Sequence, residues 1–487
     1  MPLRRAALAP ALVIVGLMAA VVSSLGAPLI PVIAERYGAE LSTAQWSLTV
    51  TMLVGAVAAP ILGRLGDGPH RRPVLLGALG VVVAGGVLAA LASSLGVLIA
   101  GRALQGFGLA LLPLAMAVAR DHVEERLRAR TIAALSLSAA IGIGLGYPIT
   151  GLIAEFGTIS TAYWFGAGAS GIALALAIWT VPAAPADRAP TSLDPVGTAL
   201  VSLGLLALLV GVERGPDWGW ADGRTLGLLA AAAALLAAWS QQALRTAAPL
   251  VELRLLRHRA VLTANGTSLV LGMAMYLLLS LMTQYVQLDR GLAETAFVAG
   301  LTLVPVSVMS AVASRVAPAL ERRFGARATI PIGSVVIAIG ATFFGLTGDH
   351  LWQAMVTMGL VGLGLGCTFV AMPGLIVPAV PASETSSALS FYQVVRYVGF
   401  SIGSGLAVTF LRIFGGDGPG DPTAYHRTFL VAALLGLVAA ALAWILPGRP
   451  TGEARPRPRD LELREREEGL LGAAGLEADG LPSPAAR

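Results

Sequence analysis

The chain has 487 residues, 56% hydrophobic and 13% charged, with a mean hydropathy of +0.77. Soluble domains carry about a quarter charged residues, so this composition excludes a string of soluble domains and makes lipid the receiver of most apolar surface. The net charge of +5 is carried by arginine without any lysine, in short segments beside apolar runs, where positive charge sets topology rather than binding nucleic acid. A single cysteine, Cys367, excludes an intramolecular disulfide. His70, His122, His258, His350 and His426 are scattered, so no metal site, cofactor or enzyme activity is expected.

In chain order, MPLRR precedes an apolar run, Ala6 to Ile33, that exceeds the roughly 7–15 residues of a signal-peptide core and reads as a first span near 9–33. Runs of roughly 18 or more apolar residues, enough to cross a bilayer as a helix, follow near 44–63, 73–93, 95–119, 131–154 and 161–181. After a Pro/Ala-rich linker, Pro182 to Pro190, come two spans near 195–213 and 225–243, with Asp194 placed to cap the first. Six more lie near 260–283, 295–319, 328–347, 352–378, 386–411 and 428–447. The expected fold is all-α integral membrane with fourteen transmembrane helices: a six-helix bundle in 1–181, a linker with two inserted helices in 182–244, a second six-helix bundle in 245–447 and a disordered tail in 448–487. With both termini cytoplasmic, the loops holding Arg64, Arg71, Arg72, Arg120, Arg126, Arg128, Arg130, Arg254, Arg257, Arg322 and Arg323 fall on the inner side, and the opposite loops are arginine-poor.

A few stretches carry polar chemistry. Gly63 to Pro73, GRLGDGPHRRP, reads as a tight, water-facing turn, and Ala317 to Pro331 repeats its character after the tenth span. Arg102 lies within the fourth span with Gln105 beside it; an arginine there faces a cavity or partner, or bonds backbone carbonyls. Gly142, Gly146, Pro148 and Gly151 in the fifth span suit close helix approach and a bend. Arg396 is a second arginine inside a span, expected to face the interior. Trp46, Tyr276, Gln284, Met372, Tyr392 and Gln393 are side chains suited to a pliable substrate cavity. Asp and Glu fall at span ends, with Glu35, Glu155 and Glu213 near outer ends and Asp67 and Glu384 near inner ends.

These motifs together resemble the major facilitator superfamily over about Ala9 to Leu446, and the fourteen-span layout resembles its drug:proton antiporter branch. The resemblance implies two six-helix bundles plus two inserted helices. It implies a gating loop of Gly63, Leu65, Asp67, Arg71 and Arg72, in which Gly68 and His70 depart from the family pattern. Asp67 is then expected to meet the start of the thirteenth span, Ser383-Glu384-Thr385-Ser386, as a carboxylate on a helix N-terminus. Arg102 and Gln105 are implied in proton coupling, and the glycine–proline motif looks like that of antiporters, with Tyr147 and Leu152 where glycines are expected. Many members carry a first-span aspartate; Ser23-Ser24-Leu25-Gly26 stands there instead, which leaves coupling to Asp67 or an end-of-span glutamate.

By analogy the substrate site lies at the midplane between the halves. The implied function is alternating-access export of small amphipathic molecules in exchange for protons, by a monomer in the inner (plasma) membrane. A carrier or importer on the same fold, and a non-transporting scaffold using the tail, are the alternatives. A nucleotide-driven pump is not expected, because the glycine run Gly359 to Gly366 lacks the Gly-Lys-Ser/Thr ending of a P-loop.

Overall fold

The computed structural model describes residues 2–25, 29–39, 41–182, 194–246, 249–324, 326–381, 384–415 and 421–445. The expected tail and Ser383 lie outside them. Every regular element among the described residues is helical.

Helix α1 (Pro2–Ser24) is followed by the short α2 (Ile30–Tyr37), which ends at Gly38 in the left-handed region, φ 59°, where a side chain would be strained. Then come α3 (Leu41–Asp67) and α4 (Arg71–Ala90). Next, α5 (Leu95–Gln105) passes through a 3-10 turn (Gly106–Ala110) into α6 (Leu111–His122), making one span, Leu95–His122. Helices α7 (Glu125–Phe156) and α8 (Ile159–Thr180) complete the N-terminal part, with Thr158 and Thr161 forming a capping box at the start of α8. Asp194 accepts from Gly197 N at 2.9 Å and so caps α9 (Pro195–Trp218), which pairs with α10 (Gly223–Arg245). The chain continues through α11 (Arg259–Gln287), α12 (Ala296–Leu301), α13 (Val304–Phe324), α14 (Ala326–Thr347), α15 (Leu351–Ala379), α16 (Thr385–Phe414) and α17 (Pro422–Ile445).

Among the described residues twelve helices are long and apolar enough to cross a membrane. The other two of the fourteen expected spans correspond to α1, whose apolar stretch is Ala7–Ser23, and α7, whose first turns carry Glu125, Arg126, Arg128 and Arg130. Large apolar side chains such as Leu206, Leu226, Ile339 and Leu434 are exposed, as lipid-facing positions are.

The expected water-facing turn over Gly63 to Pro73 is not what forms. Helix α3 runs through Asp67 and α4 begins at Arg71, so only Gly68, Pro69 and His70 link them. Arg64, Asp67 and Arg71 are buried, because each charge finds a protein partner that replaces water.

Helix α11 packs along α16 at backbone distance. A Cβ at Gly403 would lie 2.6 Å from the carbonyl oxygen of Met273, and one at Gly272 would lie 2.7 Å from that of Arg396. This approach sets Tyr276 and Arg396 against one cavity. Gly403→Val therefore forces the two helices apart, at a cost of about 1–3 kcal/mol by overpacking. The expected result is a lower unfolding temperature in detergent; a variant melting with the parent would show that the pair tolerates separation.

Candidate functional site

One polar constellation joins α3 and α6 to the start of α16. Asp67, the last residue of α3, accepts from Ser386 N at 2.7 Å and Ser387 N at 2.9 Å, and Ser387 Oγ also donates to it. These are N–H groups of the first turn of α16, which have no partner within the helix and favour a negative charge. Arg64 Nη1 donates to both oxygens of Glu384, at 2.9 and 3.1 Å. Arg120 of α6 donates to Val380 O at 3.1 Å, to Pro381 O at 3.4 Å and to Thr385 Oγ1, so it covers the carbonyl end of α15 and the start of α16 together. Gly63 permits the approach, since a Cβ there would lie 2.7 Å from Ser390 Cβ.

Arg71 holds this corner from within its own half. It pairs with Asp121, donates to Gly66 O and to Ala117 O, and lies 3.7 Å from Asp67. Arg72 does not join them; it reaches Ile178 O on α8 at 3.1 Å. Sequence reasoning missed Asp121 and Arg120, which look in the sequence like ordinary loop charges beside a span.

Arg102 is fully buried, with Nε donating to Ser47 O at 3.0 Å and Nη1 to Val22 O at 3.2 Å and to Gln105 Oε1 at 2.7 Å. Its guanidinium also lies over the Tyr163 ring, 5.8 Å from the centroid. It thereby ties α5 to α1, α3 and α8. The geometry is that of an arginine bonded to backbone carbonyls, behind the cavity wall rather than on it. Thr51 connects the two, lining the cavity while its hydroxyl donates to Arg102 O at 3.0 Å.

The cavity measures about 600 Å³ and is lined by α1, α3, α9, α11 and α16, with contributions from α6 and α15. Along α3 it takes Leu48 to Leu53, well before Asp67, and along α16 it runs from Gln393 to Leu411, well after Ser387. Cavity and polar lock therefore occupy opposite ends of the same two helices. Among the expected cavity residues Tyr276, Gln284, Gln393 and Arg396 line it. Trp46, Met372 and Tyr392 do not. Trp46 lies under the Arg214 guanidinium, 5.1 Å from its ring centroid, and Tyr392 OH donates to Met372 Sδ at 3.3 Å in the core. Gly142, Gly146, Pro148 and Gly151 all lie on α7, which continues unbroken past Pro148. A Cβ at Gly142 would sit 3.0 Å from Val21 N, so this glycine seats α7 against α1, and Gly142, Gly146 and Pro148 are not among the residues lining the cavity.

Two polar side chains face the cavity with unmet capacity. Gln393 has neither amide atom hydrogen-bonded within the protein, and Arg396 Nε is likewise unpartnered. The Arg396 guanidinium sits among four aromatic rings, those of Phe369, Tyr392, Tyr397 and Phe400, at 4.8 to 5.9 Å. Residues 393 and 396 are neighbours on one helical face, three apart. Water or cargo must complete them, because a buried polar group left unpaired costs about 1–3 kcal/mol.

One end-of-span acid lines the cavity. Glu213, near the end of α9, lines the cavity, with Thr49 Oγ1 donating to it at 3.3 Å. Helix α9 itself continues past the expected end of the span to Trp218.

A many-spanned helical membrane protein with a closed polar corner at one end and a cavity at the other defines a transporter class. The sequence matches the Major Facilitator Superfamily over residues 12–348 and 306–478, and the chain belongs to that superfamily of transporters. It is 29% identical over 412 residues to the tetracenomycin C resistance and export protein of Streptomyces glaucescens, covering 82% of this chain and 75% of that one. It is 30% identical over 387 residues to a multidrug resistance protein B homolog of Mycobacterium tuberculosis, covering 76% and 69%. A probable actinorhodin transporter of Streptomyces coelicolor is 28% identical over 428 residues, covering 83% and 72%. In fold it is similar to the human organic anion transporter MFSD10, with TM-score 0.65 and 15% identity over 90% of this chain and 99% of that one.

Proposed function

We propose that the chain is a proton-coupled secondary exporter of small amphipathic molecules, working by alternating access as a monomer in the inner membrane with both termini cytoplasmic. In this reading 1–181 and 245–447 are the two moving bundles, α1 and α7 span the membrane with the other helices, and 182–244 adds the inserted pair. The observation that carries it is the lock of Asp67, Arg64 and Arg120 on the start of α16, at the opposite end of the helices from the cavity. The lock falls on the arginine-rich, cytoplasmic side, so the cavity belongs to an outward-directed form. Opening the lock and closing the far end gives cytoplasmic access. The relatives named for tetracenomycin C export, multidrug resistance and actinorhodin transport support export as the direction and amphipathic compounds as the cargo.

The test is accumulation of a panel of lipophilic compounds in inverted membrane vesicles energised by a proton gradient. Accumulation that an uncoupler collapses is expected; gradient-independent uptake, or none for any compound, contradicts the reading. Within the panel, Arg396→Gln is expected to weaken binding of anionic aromatic compounds at least tenfold and of neutral ones much less, because it removes the cavity's cation and leaves its apolar walls. Equal losses for both classes would assign Arg396 to packing.

A further inference from the structure

The proposed exporter still lacks a group that takes up and gives back a proton. Among the described residues Glu213 is the one acidic side chain lining the cavity. Helix α9 carries it, and its partners come from elsewhere. Thr49 of α3 donates to Oε1 at 3.3 Å, and Ser404 of α16 also lines the cavity beside this carboxylate. Tyr276 of α11 lies near Ser404, so hydroxyl groups of three helices, α3, α11 and α16, surround the acid in the cavity wall.

The charges of Arg214 and Asp217 act on it from its own helix, but the charged groups around it pair with others and none forms an ion pair with it among the described residues. On α9 itself, Arg214 stacks over Trp46 and lies 4.0 Å from Asp217. From α16, Arg412 lies 3.6 Å from Asp217 and donates to Pro216 O, while Arg396 is held in its aromatic cage. Helix α10 brings Arg224 and Arg245 at its two ends. Helix α3 has Arg64 and Asp67 committed to the lock, and α11 adds Tyr276.

Hydroxyl partners suit either protonation state, since Ser and Thr donate to a carboxylate and accept from a carboxylic acid. An ion pair would instead hold the acid in its charged form. The Thr49 and Ser404 contacts also join a helix of the N-terminal part to one of the C-terminal part. Relative motion of α3 and α16 breaks or remakes them, so the environment of the acid changes with the conformational cycle.

We propose that Glu213, supplied by the inserted helix pair, is the carboxyl group that exchanges a proton during transport, which makes that pair part of the transport machinery. The inference rests on the exporter reading. The carboxylate takes a proton from water on the outward-directed side to become the neutral acid, and gives it to cytoplasmic water once the cavity faces inward. Cargo with a basic amine competes with the proton for the same oxygens.

The first test is independent of transport. The full-length protein in lipid nanodiscs is treated with a hydrophobic carbodiimide, which adds to protonated, water-shielded carboxyl groups, and the Glu213 peptide is followed by mass spectrometry across pH. Labelling at low pH that disappears at high pH with a one-proton slope is expected; no labelling, or labelling independent of pH, overturns the proposal. The second test compares gradient-driven accumulation with gradient-free counterflow of ethidium in proteoliposomes. Glu213→Gln is expected to reduce the first at least tenfold more than the second, and Glu213→Asp to recover part of the loss. Equal losses in both modes, or none, overturn the coupling role. If the parent protein moves no cargo while labelling keeps its pH dependence, the exporter reading fails and the proton site stands.

Discussion

Asp67→Asn is expected to lower the rate of gradient-driven transport by at least tenfold without unfolding the protein. The carboxylate accepts from two backbone N–H groups and one hydroxyl at the start of α16, and asparagine offers one oxygen and sets an NH2 group against the remaining donors. Hydrogen bonds to a charged acceptor contribute about 1.5–3 kcal/mol each. Losing roughly 2–4 kcal/mol from one side of a two-state equilibrium shifts it about 30- to 1,000-fold, since 1.4 kcal/mol is tenfold. The lock then stands open for most of the cycle. Initial rates in inverted vesicles, normalised to protein present, check the effect. Wild-type rates would mean that Arg64–Glu384 and Arg120 hold the corner alone.

The second large effect is on stability. Arg102→Ala removes the donor to Ser47 O, Val22 O and Gln105 Oε1 at once, in a place with no access to water. Ser47 O keeps the Thr51 hydroxyl, but Val22 O and Gln105 Oε1 lose this donor; at about 1–3 kcal/mol for each acceptor left unpaired, a loss of roughly 2–5 kcal/mol follows, with part of it relieved by local rearrangement. The unfolding temperature in detergent is expected to drop by about 2–5 °C. Arg102→Lys recovers only a fraction, because an ammonium group does not reproduce the planar fork that spans α1, α3 and Gln105. A stable Arg102→Ala protein that has lost its dependence on the proton gradient would instead make this arginine part of coupling.

Much of this architecture is legible in one dimension. Apolar runs locate the helices because lipid imposes both their length and their composition, and Asp194 announces the start of α9 by its position before Pro195. The loop motif brings Asp67 to attention, but not its burial. Charges beside a span read as water-facing until the other half of the chain supplies Ser386, Ser387 and Glu384 as partners, more than 300 positions away. Cavity membership is harder still. Tyr276 and Gln393 face the cavity whereas Tyr392, next to Gln393, turns to Met372, and in helices apolar on every side the sequence carries no stripe to tell them apart. Glu213 reads as an end-of-span acid, but the sequence does not show that α1, α3, α11 and α16 enclose a cavity beside it.

The most direct measurement covalently closes the lock. In a Cys367→Ala background, Gly66→Cys and Ser386→Cys introduce the only two thiols, and a Cβ at Gly66 lies 3.6 Å from that of Ser386, within the roughly 3.5–4.5 Å a disulfide spans. Oxidation should form the bond, and gradient-driven transport should stop and return on reduction, while each single-cysteine protein is indifferent to both treatments. Transport continuing at the unoxidised rate in protein whose mass confirms the bond would contradict alternating access through this end of the molecule.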